Sequence, residues 1–131
     1  MTAFFGFFFF LGLTVVLLLL VAWTGHKHLR KPHVFLVINS MLSLGVAIYY
    51  AIQLGKEYDL EAAGWITPVH MKMAKVATVA YVVPITLGIL TWRRPKWLRL
   101  HGMMGLTVIL LTVLTTVTGA IMLYLAEPII P

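Results

Sequence analysis

The chain has 131 residues, of which 61% are hydrophobic and 11% are charged, and its formal net charge is +6. A soluble domain of this composition would lack the polar side chains to cover its surface, so the sequence predicts a membrane protein. In a soluble protein the positive charge would suggest nucleic acid. In a membrane protein its distribution among the loops matters more, and no nucleic-acid partner is expected.

Four apolar segments, residues 3–23, 34–54, 71–92 and 102–125, are each long enough to cross a hydrocarbon layer of about 30 Å, which takes roughly 20 helical residues. The first, FFGFFFFLGLTVVLLLLVAW, lacks a basic n-region and an A-x-A-like cleavage site, which favours a retained helix over a secretory signal. The sequence therefore predicts an all-α fold, in which residues 1–131 form a single transmembrane four-helix bundle without a soluble catalytic domain.

The charged residues predict the orientation of the spans. Seven cations fall in the segments between spans one and two and between spans three and four: Lys27, Arg30, Lys31, Arg93, Arg94, Lys96 and Arg99. All four acidic residues, Glu57, Asp59, Glu61 and Glu127, lie on the other side. Because Lys and Arg favour cytoplasmic loops, both termini are expected outside and the segment TGHKHLRKPH inside.

Three of the five histidines stand immediately before apolar stretches: His33, His70 and His101. His26 and His28 lie in the basic segment and are most simply interfacial residues in water. Below each of the three, at helical spacing, runs a stripe rich in small residues. The stripes are Val37, Ser40, Leu44, Ala47 and Ala51 below His33; Ala74, Ala77, Tyr81, Pro84 and Gly88 below His70; and Gly105, Val108, Thr112, Thr115 and Gly119 below His101. Small residues allow helices to approach closely, which is the default interpretation, or they leave room for a flat macrocycle.

Spans two and four both begin on the cytoplasmic side, so His33 and His101 are expected at one membrane level. Two imidazoles on inward faces can supply both axial ligands of a haem b iron. Nearby Arg30, Lys31, Lys96 and Arg99 could balance the haem propionates. His70 begins span three on the opposite side, roughly 30 Å away, and cannot join that site.

Other chemistries have weaker support. The chain contains no cysteine, which excludes disulfides, thiolate metal sites and iron–sulfur clusters. Zinc commonly needs three or four converging ligands, and the inner side offers histidines without a carboxylate. Copper held by histidines and methionines is conceivable, although methionines more often pack. No G-x-S-x-G motif and no pair of intramembrane carboxylates supports hydrolysis, so no catalytic residue is predicted.

The segments HVFLVINSMLSLG, VHMKMAKVATVAYVVPITLG and LHGMMGLTVILLTVLTTVTGAIML resemble two groups of proteins over about residues 25–123. The first is the cytochrome b561-type membrane haem proteins, whose four-helix core holds haem through histidines of alternate helices. That resemblance implies His33 and His101 as the inner pair. The second is a family of small bacterial membrane proteins linked to assembly of haem–copper oxidases, similar in the order of the histidines and in the closing Thr118-Gly119.

One departure from the first group concerns His70. A two-haem core of the b561 type would pair it with a histidine of a further helix, which this chain does not have. Three interpretations remain open: a single haem, a second haem whose other ligand comes from a partner chain, or a quinone pocket lined by His70, Lys72 and Tyr81. A methionine axial ligand is a further alternative.

The leading hypothesis is a membrane haem b protein that transfers electrons between the quinone pool and a redox partner, as the electron-transfer subunit of a larger oxidoreductase. The resemblance implies a multi-pass protein of the bacterial inner membrane, in contact with lipid and with other membrane subunits or further copies of itself. The alternative is a non-catalytic accessory or assembly subunit of a respiratory or photosynthetic complex. A small carrier or channel is less favoured, because buried acids and paired broken helices are missing from the sequence.

Overall fold

The computed structural model describes residues 2–129 of the chain. Helices are α1 (Ala3–His26), α2 (Arg30–Leu54), α3 (Ile66–Ala80), α4 (Val82–Thr91) and α5 (Leu98–Leu125), with short 3₁₀ helices at Glu61–Ala63 and Pro95–Trp97 and two-residue strands β1 (Tyr58–Asp59) and β2 (Glu127–Pro128). Four helical stretches, with α3 and α4 taken together, are long and apolar enough to cross a membrane. The predicted set of four long apolar helices is therefore confirmed.

The helices begin earlier than the apolar pattern predicts. Arg30 starts α2 and Leu98 starts α5, so His33 and His101 are each the fourth residue of a helix. His70 is likewise inside α3, as its fifth residue. Pro32 fits in the first turn of α2 because backbone N–H groups there have no helical partner. Polar residues that flank the apolar pattern thus belong to the helices.

The structure divides into two units, and the first contains α1, α2 and the two strands. Along α1 and α2 the buried side chains are mostly small or hydroxylated, among them Thr14, Ser43 and Ala47. Thr14 Oγ1 lies 2.9 Å from Ser43 Oγ, and Ser43 Oγ donates to the carbonyl of Phe10 at 3.0 Å. These hydroxyls link the helices where the surrounding side chains are apolar. The antiparallel ladder of β1 and β2, with Asp59 opposite Glu127, was not predicted.

The second unit contains α3, α4 and α5. The predicted third span is interrupted at Tyr81, between α3 and α4. Pro84 lies three residues further on and has no N–H to donate to the carbonyl of Ala80, which accounts for the break. The Tyr81 hydroxyl is buried and lies 2.7 Å from Thr112 Oγ1 of α5. This hydrogen bond links the interruption to α5.

The small-residue stripes below the histidines are largely packing surfaces within each unit. Buried members of the stripes are Ser40, Ala47, Ala77, Tyr81, Pro84, Val108 and Thr112. Gly105 differs, because a Cβ built on it would meet no heavy atom within 4 Å. Close helix packing explains most of each stripe, and Gly105 marks open space one turn below His101.

Candidate functional site

His33 lies against the C-terminal end of α1. Its Nδ1 is 3.0 Å from the carbonyl oxygen of Val21 and 3.4 Å from Thr24 Oγ1. The ring rests on Gly25, where a Cβ would stand 3.2 Å from His33 Cε1. The imidazole therefore occupies a notch that exists because residue 25 has no side chain.

His101 repeats this arrangement in the second unit. Its Nδ1 lies 2.8 Å from the carbonyl oxygen of Pro84, and its ring rests on Gly88. A Cβ at residue 88 would be 3.1 Å from His101 Cε1. Val21 precedes Gly25 by the same four residues that separate Pro84 from Gly88, so the two histidines meet matching backbone positions of their partner helices.

His70 has the third arrangement of this kind. Its Nδ1 is 3.2 Å from Thr118 Oγ1, and that hydroxyl lies 3.0 Å from the carbonyl of Thr115. Its ring rests on Gly119 of α5, where a Cβ would be only 2.7 Å from His70 Cε1. His70, which had no partner in the sequence, thus contacts the Thr118-Gly119 motif directly.

The hydrogen bonds indicate which ring nitrogen carries the proton. The carbonyls of Val21 and Pro84 can only accept, so Nδ1 of His33 and Nδ1 of His101 must be protonated and donate. Thr118 gives its hydroxyl proton to Thr115 and accepts from His70 in the same way. A neutral imidazole that donates from Nδ1 carries its lone pair on Nε2. Ligating histidines are typically held like this, with the other ring N–H on a carbonyl.

The remaining predicted residues lie at exposed positions or in other contacts. Arg30, Lys31 and Arg99 are all exposed, in the first turns of α2 and α5. Lys72 is exposed on α3, whereas Tyr81 is buried and bound to Thr112. Tyr81 follows His70 by three helical turns, roughly 16 Å at the helical rise. The structure therefore gives His70, Lys72 and Tyr81 separate surroundings rather than a common pocket.

His33 lies in the first unit, and His70 and His101 lie in the second. Among the described residues there is no group of three or more His, Cys, Asp or Glu that could hold a metal ion. No protein-family model, curated protein or solved structure matches this chain.

The glycines that receive the histidines were not predicted from the sequence. In the second unit the exchange is reciprocal: the stripe below His70 ends at Gly88, which receives His101, and the stripe below His101 ends at Gly119, which receives His70. Each glycine lies 18 residues, five helical turns, beyond the histidine of its own stripe. A repeated His-x₁₇-Gly spacing is therefore the signal that could have identified this contact pair.

Proposed function

We propose that the chain is a membrane haem b protein that transfers electrons between the quinone pool and a redox partner, as a subunit of a larger complex. His33 and His101 are the proposed axial ligands. The bilayer, with the TGHKHLRKPH segment on the cytoplasmic side, is its proposed environment, in the inner membrane of a bacterium.

The observation that carries this proposal is the shared orientation of the two imidazoles. Both donate Nδ1–H to a backbone carbonyl, at 3.0 Å for His33 and 2.8 Å for His101, and Nε2 is the nitrogen that we propose to bind iron. A hydrogen bond of this kind also fixes the ring and raises the basicity of the ligating nitrogen. The open space at Gly105, on the face of α5 below His101, suits a flat group beside that ring.

A haem b held by His33 and His101 would supply one-electron redox chemistry. The protein's own contribution is to orient the ligands and to keep them in a low-dielectric setting. Exposed Arg30, Lys31 and Arg99 are the proposed partners of the haem carboxylates. His70 is the candidate ligand of a second site.

A second candidate function is that of an accessory or assembly subunit whose histidines are structural. The specific observation in its favour is that all three histidines, including His70, make the same contact with a glycine and a polar group of a neighbouring helix. Such a contact stabilises helix packing without any cofactor. The two functions differ in whether the imidazoles at positions 33 and 101 bind iron.

The discriminating experiment is a reduced-minus-oxidised absorption spectrum of the full chain, produced with an adequate haem supply and purified in mild detergent. The proposal expects a b-type α band that disappears in His33→Ala and in His101→Ala. His26→Ala and His28→Ala are the matched controls, because these histidines are exposed in the same basic segment. Both controls should keep the band.

Exogenous imidazole separates loss of a ligand from loss of packing. If His101→Ala removes an iron ligand, added imidazole restores the band without restoring the helix contact. A folded, colourless wild-type protein would contradict the haem proposal and favour the accessory role. A band that survives both His33→Ala and His101→Ala would contradict the assignment of the ligands.

A further inference from the structure

The turn between α4 and α5 presents three cations within four residues: Arg93, Arg94 and Lys96. All three side chains are exposed. The backbone that carries them is held by hydrogen bonds, since the N–H groups of Arg93 and Arg94 donate to the carbonyl of Leu90 at 3.1 and 2.9 Å. Pro95 between them has a fixed φ. The cations are therefore displayed from a well-defined turn.

No acidic residue of the same unit is near enough to balance these charges. Residues 61–126 contain six cations and a single acid, Glu61. Glu61 precedes α3, so the 26 residues of α3 and α4 separate it from the turn by roughly 40 Å at the helical rise. That distance is about four Debye lengths at 0.1 M salt. Neutralising anions for the turn must come from outside the unit.

Aromatic and apolar side chains flank the cations. Trp92 is 60% exposed and Leu98 is 46% exposed, one on either side of the turn. Lys96 Nζ lies 5.4 Å from the centroid of the Trp97 ring, within cation–π range. Tryptophan favours the level of the lipid headgroups. An anion bound to the arginines would thus lie beside surface suited to acyl chains.

We propose that the turn of Arg93, Arg94 and Lys96 binds the phosphate group of an anionic phospholipid headgroup. The planar guanidinium fork matches phosphate oxygens with paired hydrogen bonds, and each cation near an anionic membrane surface adds to the attraction. Free phosphate shares this chemistry. The exposed Trp92 and Leu98 favour the lipid, because only a lipid offers acyl chains to cover them. Lipid binding at the turn does not depend on haem binding.

The test is retention of phospholipid by the full chain in neutral detergent, measured by native mass spectrometry with equal amounts of phosphatidylglycerol and phosphatidylcholine of identical acyl chains. The wild type is expected to retain phosphatidylglycerol at least tenfold over phosphatidylcholine. R93Q/R94Q/K96Q should lose this preference, and each single substitution should lower it by up to about fivefold. Arg99 is left unchanged because it is a proposed haem contact.

Two further variants keep the result decisive. K72Q/K75Q removes exposed cations from the same unit outside the turn and should retain the preference. R93K/R94K keeps the charge and should bind phosphatidylglycerol, more weakly than the wild type. Since charge removal could impair folding, the salt dependence of the wild type is a parallel readout: salt should release phosphatidylglycerol and leave phosphatidylcholine unchanged.

Three results would overturn the proposal. The first is equal retention of both lipids by the wild type. The second is an equal loss of preference in K72Q/K75Q, which would indicate general attraction to a basic protein. The third is displacement of phosphatidylglycerol by inorganic phosphate but not by sodium chloride of the same ionic strength, which would assign the turn to a soluble anion.

Discussion

The imidazole of His101 rests on Gly88, with its Cε1 3.1 Å from the point where a Cβ of residue 88 would stand and its Nδ1 2.8 Å from the carbonyl of Pro84. One contact thus determines both how closely α5 approaches α4 and which tautomer the imidazole adopts. The packing of α5 against α4 and the orientation of the imidazole are coupled through this glycine. Substitutions at Gly88, Gly105 and Gly119, compared with substitutions at Gly102, which faces open space, should separate the effect on packing from the effect on the imidazole.

Gly88→Ala should destabilise the protein, because the added methyl group pushes the His101 ring away from the Pro84 carbonyl. Overpacking typically costs about 1–3 kcal/mol, and alanine recovers up to about 1 kcal/mol of helix propensity. We expect a net loss of about 1 kcal/mol in the free energy of unfolding in detergent. Gly102→Ala is the control, since open space surrounds residue 102, and it should be neutral or stabilising. Equal effects of the two substitutions would contradict the contact between the His101 ring and Gly88.

Gly119→Ala should cost more, about 2 kcal/mol, because its Cβ would stand 2.7 Å from His70 Cε1 and the ring must move. Removing the ring should relieve the clash. A double-mutant cycle with His70→Ala therefore predicts a coupling of about 1–2 kcal/mol in the unfolding free energy. Additive effects would show that Gly119 and His70 are not in contact.

Gly105→Phe tests the space below His101. If a haem lies beside that ring, the phenyl group should reduce the haem content of the purified protein severalfold, while unfolding stability stays within about 0.5 kcal/mol of the wild type. Gly102→Phe adds the same group at another open position of α5 that lies off the stripe of His101. Pyridine haemochrome content per protein is the measurement. Similar haem content in both variants would place the haem elsewhere.

Tyr81→Phe removes the 2.7 Å hydrogen bond to Thr112 at the junction of α3 and α4. Hydrogen bonds between membrane helices contribute about 0.6 kcal/mol on average and at most about 1.7 kcal/mol. We expect a loss in that range, in the upper half because both groups are buried. Tyr124→Phe, at an 88% exposed tyrosine, should have no effect on the same unfolding transition. A loss of unfolding free energy in both variants would show that removing any tyrosine hydroxyl destabilises the protein, whether or not the hydroxyl bonds to Thr112.

The four apolar helices could be predicted because the requirement is local. A run of roughly 20 apolar residues satisfies its own backbone hydrogen bonds as a helix whatever its neighbours are. The histidines stood out for the same reason, as polar exceptions next to such runs. The apolar runs do not mark where α2 and α5 begin, because polar residues such as Arg30 and Arg99 can occupy a first turn without disrupting the apolar pattern further along the helix.

The amino-acid sequence alone was thus enough to predict the helices. It also shows how the charges are distributed and that three histidines stand beside apolar runs. The contacts of His33, His70 and His101 with Gly25, Gly119 and Gly88 were not predicted. The repeated His-x₁₇-Gly spacing points to the glycines of the second unit, and only the packed helices show which ring meets which glycine. Those contacts depend on the register between helices, because van der Waals contact and hydrogen bonding act over a few ångströms between residues far apart in the chain. Nothing local distinguishes Gly88, which receives a ring, from Gly102, which faces open space.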